Sequence, residues 1–550
     1  MPRPTREAAL WGAIAVLAAL PRLLNLHFPL VNAEAALALL SLDSVRGQAV
    51  VFPNPLFGVA QLATFAVFGA SDVATRLIPA LAGIALCLAP MLARTQLGRG
   101  RALLMGLLLA LSPTLWFVSR VADGAMLAWA LAAFAFFAWI SDRRVLAVAL
   151  LGVLAACGRD APLPFVVTVV ASLVATGVVV PSRRMGLAFG LAFLAGSTAL
   201  LLRPSGLGDA FNGITIWLQG LRGVEALPVG RLLLGLAANE VVVIVGALFG
   251  LGALLFRRRF AGTETVWLAF ILLGLVALFI DAGRTAAALV PIVIGCAGLA
   301  SHAYERLLAN SAESARLQRE GVIAGMSFVL VLYAGLGLRQ YAGQGQTSWL
   351  FPIVIATLLI LAIIAAGSLG LEYSTALRGT AAGLLASMLL YSLGAGLQLN
   401  HARLGNPAEP YRAEAALDGV STLQETLSSI SLRATGEPMA LAVNLPDGTP
   451  ASVRWALRDQ KKIDVFDVRA DATVTAAQNK PASGDYIGLS FDVASRVSLA
   501  NLRCQSQVPG GLDCLPLARW LAFRTADDVH TDRWVLWLRN DVAAKAGGKR

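Results

Sequence analysis

Apolar runs close to twenty residues long recur from the first helix to about residue 396, and such a segment has few ways to fold. Each is long enough to cross a hydrocarbon core, where only a helix or a closed barrel satisfies its own backbone hydrogen bonds. The runs are too long and too continuous for barrel strands. Composition agrees, with 57% hydrophobic and 14% charged residues and a mean hydropathy of +0.71. The chain is predicted to be an α-helical polytopic membrane protein with about thirteen spans of roughly 14 to 27 residues. They fall near 8–25, 73–93, 101–118, 123–140, 145–158, 161–180, 185–202, 231–256, 263–281, 285–302, 320–338, 348–368 and 378–396. The first run lacks a small-residue cleavage site and is followed by more spans, so it reads as a transmembrane helix and not a signal peptide.

The formal charge of +11 would suggest a polyanion partner in a soluble chain. Here arginine clusters at helix ends explain it as the positive-inside signal, and nucleic acid is not implied. With a cytoplasmic N-terminus, Arg94/Arg99/Arg101, Arg143/Arg144, Arg183/Arg184, Arg257/Arg258/Arg259 and Arg306/Arg316/Arg319 all fall on the cytoplasmic side. That parity holds only if the apolar piece 55–70 lies on the membrane without crossing it. An odd number of spans then puts the C-terminus outside, on the same face as the loop 27–72. The reading is a multi-pass protein of the cell membrane, its partner the lipid bilayer.

Beyond Leu399 the pattern turns soluble. Leu417, Val420, Leu423, Leu427 and Ile430 keep helical spacing, a second helix is predicted at 450–458, and strands at 439–443, 463–466, 486–491 and 534–538. The expected organisation is a transmembrane domain over 1–402 and an extracytoplasmic α/β domain over 403–550. Cys87, Cys157 and Cys296 read as small buried hydrophobes. Cys504 and Cys514 lie in the polar tail and could close a short disulfide loop.

Polar residues inside such a chain are the candidates for chemistry. Glu34 opens a predicted helix over 33–45, and Pro53-Asn-Pro55 breaks the chain before a second amphipathic piece at 56–68. Two in-plane helices beneath an acid form a plausible site floor; the bland alternative is a solvated helix-terminal charge. Ser119-Arg-Val-Ala-Asp123 sets an arginine and an acid at the outer face, suited to a lipid phosphate and a metal or acceptor contact, or simply to a local ion pair. Arg159, in the next outward turn Gly158-Arg-Asp160, could bind an anionic head group or merely snorkel. Arg22, Arg76, Arg203, Arg222 and Arg284 also sit on or near that face, against the topology bias, which suggests an anionic ligand there. Asn239-Glu240 interrupts an apolar run; with a helix starting near Leu236, Glu240 is expected close to the surface.

In order and spacing, Arg22-Leu-Leu-Asn-Leu, the loop acid, Phe68-Gly-Ala-Ser-Asp-Val-Ala-Thr-Arg76 and Leu111-Ser-Pro113 through Ser119-Arg-Val-Ala-Asp-Gly124 resemble the N-terminal core of GT-C glycosyltransferases. The nearest branch is that of protein mannosyltransferases and aminoarabinose transferases, within it the archaeal-type subgroup named for association with flippase activity. Asn406-Pro-Ala-Glu-Pro410 and Val453-Arg-Trp-Ala-Leu-Arg-Asp459 resemble that subgroup's C-terminal domain. The resemblance implies a hexosyl- or pentosyltransferase that moves a sugar from a polyprenyl-phosphate donor to an extracytoplasmic lipid, glycan or protein. It implies Glu34 and Asp123 as catalytic or metal-binding acids, the metal being Mg or Mn, and Arg76, Arg120 and Arg159 near the donor phosphate. Two departures stand out. The family's first loop carries an Asp-Glu pair, whereas Ala33 precedes Glu34 here, and the acid of the Ser-Arg motif usually lies about two positions beyond Asp123. Asp43 or Asp123 could compensate for the missing Asp. The alternative reading is a catalytically degenerate relative that binds lipid-linked sugar or assists envelope glycan assembly or flipping.

Overall fold

The computed structural model describes residues 6–223, 227–257, 263–308, 314–369, 373–463, 470–477, 485–497, 505–507, 511–526 and 529–547. The N-terminal three quarters are helical. Four helices open the chain: α1 (Arg6–Leu23), α2 (Asn32–Val45), α3 (Pro55–Phe68) and α4 (Asp72–Leu88). Their boundaries follow from local chemistry. Asn54 caps α3, its Oδ1 accepting from the Phe57 amide at 2.9 Å, with Pro55 preset at the first helical position. Ser71 caps α4 by accepting from the Ala74 amide at 3.2 Å. The expected pair of helices in the first loop is thus present as α2 and α3, each 14 residues long.

By length and composition, six helices among the described residues could cross a membrane, or seven if one bent pair counts as a single span. About thirteen were expected. The difference arises where polar residues or prolines break an apolar run. The run 101–118 divides into Arg99–Leu111 and Pro113–Val118, because Pro113 cannot continue a helix and Ser112 caps the new one. The run 231–256 divides at Glu240 with an 89° bend between Val229–Asn239 and Val241–Ala253. Further apolar helices, Pro55–Phe68, Ala125–Ile140, Arg144–Ala155 and Glu264–Ile280, are shorter, within 10–17 residues. Glu240 itself is buried, not close to the surface: its Oε1 accepts from the Thr114 amide at 2.8 Å and the Ser112 hydroxyl at 2.5 Å. The bend is therefore held by an acid that caps the neighbouring helix.

The alanine-rich helix Ala125–Ile140 sits at the centre, where small side chains let neighbours approach closely. Phe136 forms edge-on contacts with Trp267 and Phe270 at ring separations of 5.8 and 5.1 Å.

After the π-turn Gln398–Ala402 the chain forms a six-stranded sheet. Its strands are β1 (Ala415–Ala416), β2 (Ala442–Asn444), β3 (Lys462–Ile463), β4 (Ala472–Ala476), β5 (Tyr486–Val497) and, in the last place by sequence, β8 (Val529–Arg539). The spatial order is β1-β5-β8-β4-β2-β3, and β6 (Gln505–Gln507) and β7 (Gly511–Asp513) pair separately. The β2–β3 and β2–β4 pairs are parallel, and β5 and β4 flank β8 antiparallel. Val420, Leu423 and Leu427 of the helix Gly419–Thr435 pack on this sheet with Val443, Val474 and Leu536. Part of the predicted strand 463–466 falls outside the described residues, as does Cys504. Cys514 is disulfide-bonded, whereas Cys87, Cys157 and Cys296 are free and buried.

The sheet region grips the first loop. Trp455 stacks on Phe65 of α3 at 5.9 Å and donates its indole N–H to Asp72 Oδ1 at 2.6 Å. Asn32 at the start of α2 accepts from the Ser452 amide at 3.1 Å and donates to Glu414 at 2.8 Å.

Candidate functional site

Beneath this grip lies a cavity of about 650 Å³, walled by α2, the start of α3, the loop 119–124, the turn at 158–160, the helix Gly206–Gly220, the stretch 281–288 and the segment 411–414. Its wall includes Glu34, Asp123, Asp160, Arg120, Arg159, Arg284 and Arg412. Of the sequence-predicted residues, Glu34, Asp123, Arg120 and Arg159 come together here; Arg76 stands directly behind Glu34, and Asp43, further along α2, is outside the wall.

Glu34 is 4% exposed and every direction of its carboxylate is used. Arg76 meets it twice, Nη2 to Oε2 at 2.6 Å and Nε to Oε1 at 3.2 Å. Oε2 also accepts from the Val31 amide at 3.2 Å, and Oε1 from the Ala122 amide at 2.8 Å. The acid thus ties α2 to α4 and to the loop that carries Asp123. Arg76, fully buried, spends its remaining donors on the carbonyls of Leu26, Phe28 and Pro29. Arg120 does the same with Pro21 at 3.0 Å, with Leu24, and with Asn25 at 2.8 Å. Burial first, then Arg76 and Arg412, bring Arg120 down to about 10. Arg22 likewise donates to the carbonyls of Ala18, Leu109 and Ala110. Arginine is suited to this use, since its fork satisfies several carbonyls where helices end inside an apolar body.

Asp123 and Asp160 are held differently. Asn54 donates from Nδ2 to Asp160 Oδ2 at 2.8 Å while its own oxygen caps α3, so the helix start positions the acid. A Cβ on Gly124 would lie 2.0 Å from Asn54 Nδ2 and 2.6 Å from Asp160 Oδ2. Glycine is therefore required beside Asp123 for the two acids to share one wall. Gly158, at φ 52, makes a similar approach: its Cβ would stand 2.6 Å from the Pro53 carbonyl, to which the Arg159 amide donates at 2.9 Å. Burial, and then the neighbouring Asp160 carboxyl, push Asp123 from the ordinary range up to about 8. Between about pH 4 and 8 the folded chain keeps a proton that the unfolded chain would release, so this group's contribution to stability falls as pH rises through that window.

Ala33, where the resembled family has Asp, is exposed on the cavity wall. Sequence reasoning missed Asp160 and Arg412. Asp160 lay in a turn singled out only for its arginine; Arg412 lies two residues beyond Pro410, with no periodicity or motif to mark it.

Among described residues no three His, Cys, Asp or Glu side chains converge to hold a metal ion. Glu34 has no lone-pair direction left for one. Asp123 and Asp160 are two carboxylates on one wall, oxygen donors of the type that a cation such as Mg²⁺, which keeps several waters, would take.

No family model matches the chain, and no curated protein matches it. Solved structures do. ArnT from Cupriavidus metallidurans bound to undecaprenyl phosphate superposes with a TM-score of 0.52 at 17% identity, over 83% of this chain and 85% of that one. The chain shares the fold of this ArnT. The apo form of the same ArnT gives a TM-score of 0.48 at 17% identity, over 83% and 85% of the two chains. The apo Archaeoglobus fulgidus oligosaccharyltransferase gives 0.43 at 12% identity, over 86% and 70%. With six or seven described helices long and apolar enough to cross a membrane, the chain is a polytopic membrane protein with a C-terminal α/β region.

Proposed function

We propose that this GT-C chain is an integral-membrane glycosyltransferase that moves a hexosyl or pentosyl group from a polyprenyl-phosphate donor to an extracytoplasmic acceptor hydroxyl. The observation that carries the reading is the cavity whose wall holds both the Asp123–Asp160 pair and the Arg159 and Arg412 side chains. In this reading the Asp123 carboxylate takes the acceptor proton as the hydroxyl oxygen bonds to the anomeric carbon. The bond from that carbon to the donor phosphate oxygen breaks, and the lipid phosphate leaves with its electron pair, its charge offset by Arg159. Glu34, Arg76 and Arg120, committed to the fold, position the loop and wall. Asp123 and Asp160 would hold a divalent cation, which would supply further charge neutralisation at the phosphate. The C-terminal region and the cavity mouth are assigned to the extracytoplasmic face, with the N-terminus cytoplasmic.

Purified protein is expected to transfer radiolabelled sugar from a polyprenyl-phosphate donor and not from a nucleotide sugar; transfer from the nucleotide sugar alone would refute the reading. The rate without added metal is expected to rise with pH through about 8, the value to which Asp123 is pushed. Added Mn²⁺ should move that limb to lower pH, because cation and proton compete for the same carboxylates. Asp160→Asn removes the like charge and should also shift the limb down.

Ala33 favours a second reading, in which the chain binds lipid-linked sugar without turnover. Turnover by the wild type would end it; activity gained only in Ala33→Asp would establish it.

A further inference from the structure

Arg412 differs from the buried cavity arginines Arg120 and Arg284, whose guanidinium groups donate to backbone carbonyls. Its side chain is 7% exposed, yet among the described residues its guanidinium makes no hydrogen bond, and its Nε is buried without a partner. The guanidinium lies 5.2 Å from the Phe117 ring centroid and 5.8 Å from that of Phe28, between two aromatic walls that open on the cavity. The acids that attract it are engaged elsewhere. Glu34 is saturated by Arg76 and two amides, and Glu409 lies 3.8 Å from both Arg403 and Arg524. Arg76, Arg120 and Arg412 thus gather near Glu34, and of the three Arg412 keeps its guanidinium donors unused beside the cavity. A buried guanidinium with unfilled donors on a cavity wall attracts an anion.

The backbone beneath Arg412 is fixed before any ligand arrives. Arg231, 9% exposed, donates to the carbonyls of Pro407, Glu409, Pro410 and Arg412 at 3.0, 3.0, 3.2 and 2.5 Å, and to that of Val497 at 3.1 Å. The next side chain, Tyr411, shares a hydrogen bond with Thr114 at 2.8 Å and packs on Phe117. The side chain of residue 412 is thereby aimed while its donors stay free.

We infer that Arg412, delivered into the cavity by the segment that leads to the C-terminal sheet, is a phosphate-binding residue that completes the lipid-phosphate site. The inference rests on the glycosyltransferase reading for the identity of the lipid, and on geometry alone for the anion. The phosphate could equally belong to a lipid or be free, so both are tested.

Binding of undecaprenyl phosphate, undecaprenol and inorganic phosphate to the full-length protein in detergent, with thermal unfolding as the check on folding, decides the matter. Wild type is expected to prefer undecaprenyl phosphate over undecaprenol. Arg412→Gln is expected to weaken undecaprenyl phosphate binding roughly 10- to 100-fold, the range for a hydrogen bond to a charged group, and to leave undecaprenol unchanged. Arg412→Lys keeps the charge and loses the fork, so a loss of roughly 3- to 10-fold is expected, and this variant decides if Arg412→Gln does not fold. A folded Arg412 variant that binds undecaprenyl phosphate as wild type does overturns the inference and leaves the glycosyltransferase reading standing. Binding of inorganic phosphate that depends on Arg412, with no preference for the phosphorylated lipid, supports the anion site and removes the lipid. Wild type that binds neither phosphate overturns both.

Discussion

Glu34→Gln is expected to lower the stability of the whole chain by about 3–5 kcal/mol, the usual cost of leaving one partner of a buried ion pair uncompensated. Arg76 is fully buried and, among the described residues, its one carboxylate partner is Glu34, at 2.6 Å, so the amide leaves a guanidinium charge in an apolar body. The damage extends beyond the pair. Glu34 also receives the Val31 and Ala122 amides, and a glutamine cannot satisfy both while facing Arg76 with its oxygen. Thermal unfolding should show a lowered midpoint, and lipid binding and transfer should fall together with it. A variant with wild-type stability and lost transfer would instead make Glu34 a reacting group.

Arg231→Met is expected to have an effect of similar size by another route. Five carbonyls, four of them from residues 407–412, lose the donor that gathers them. An orphaned buried acceptor costs about 1–3 kcal/mol, and even with partial relaxation the sum should exceed about 4 kcal/mol. The segment should come free of the helical body, so limited proteolysis between Leu399 and Ala415 is the measurement. Cleavage at the wild-type rate would show that Tyr411 and the Trp455 contacts are enough to hold the region in place.

The same two arginines show what was legible in the sequence. A membrane-embedded arginine is visible at once, and Arg76, Arg120 and Arg159 were marked as partners for a phosphate. What sequence cannot display is where the other donors go. Arg76, Arg120 and Arg231 are filled by backbone carbonyls from turns far away in the chain, a bond type that leaves no side-chain signature. Arg412, in a segment without periodicity, is a buried guanidinium left open among the described residues. The breaks within two of the expected spans were hidden for a related reason. Hydropathy sums along the chain and passes over Ser112 and Glu240, whose mutual hydrogen bond ends one helix and bends another. The helices of the first loop were legible because Pro55 and the capping residues Asn54 and Ser71 act locally. The Asp123–Asp160 pair was not, since it depends on Gly124 admitting Asn54 from another part of the chain.

Single-turnover transfer of sugar from an undecaprenyl-phosphate-linked donor, measured for wild type and Asp123→Asn side by side with their unfolding midpoints, is the most direct test of the role given to this cavity. Wild type is expected to transfer, and Asp123→Asn to be slower by roughly 10²- to 10⁴-fold at a midpoint no lower than that of wild type, the usual worth of a positioned general base. Asp123→Asn turning over at the wild-type rate would contradict the account.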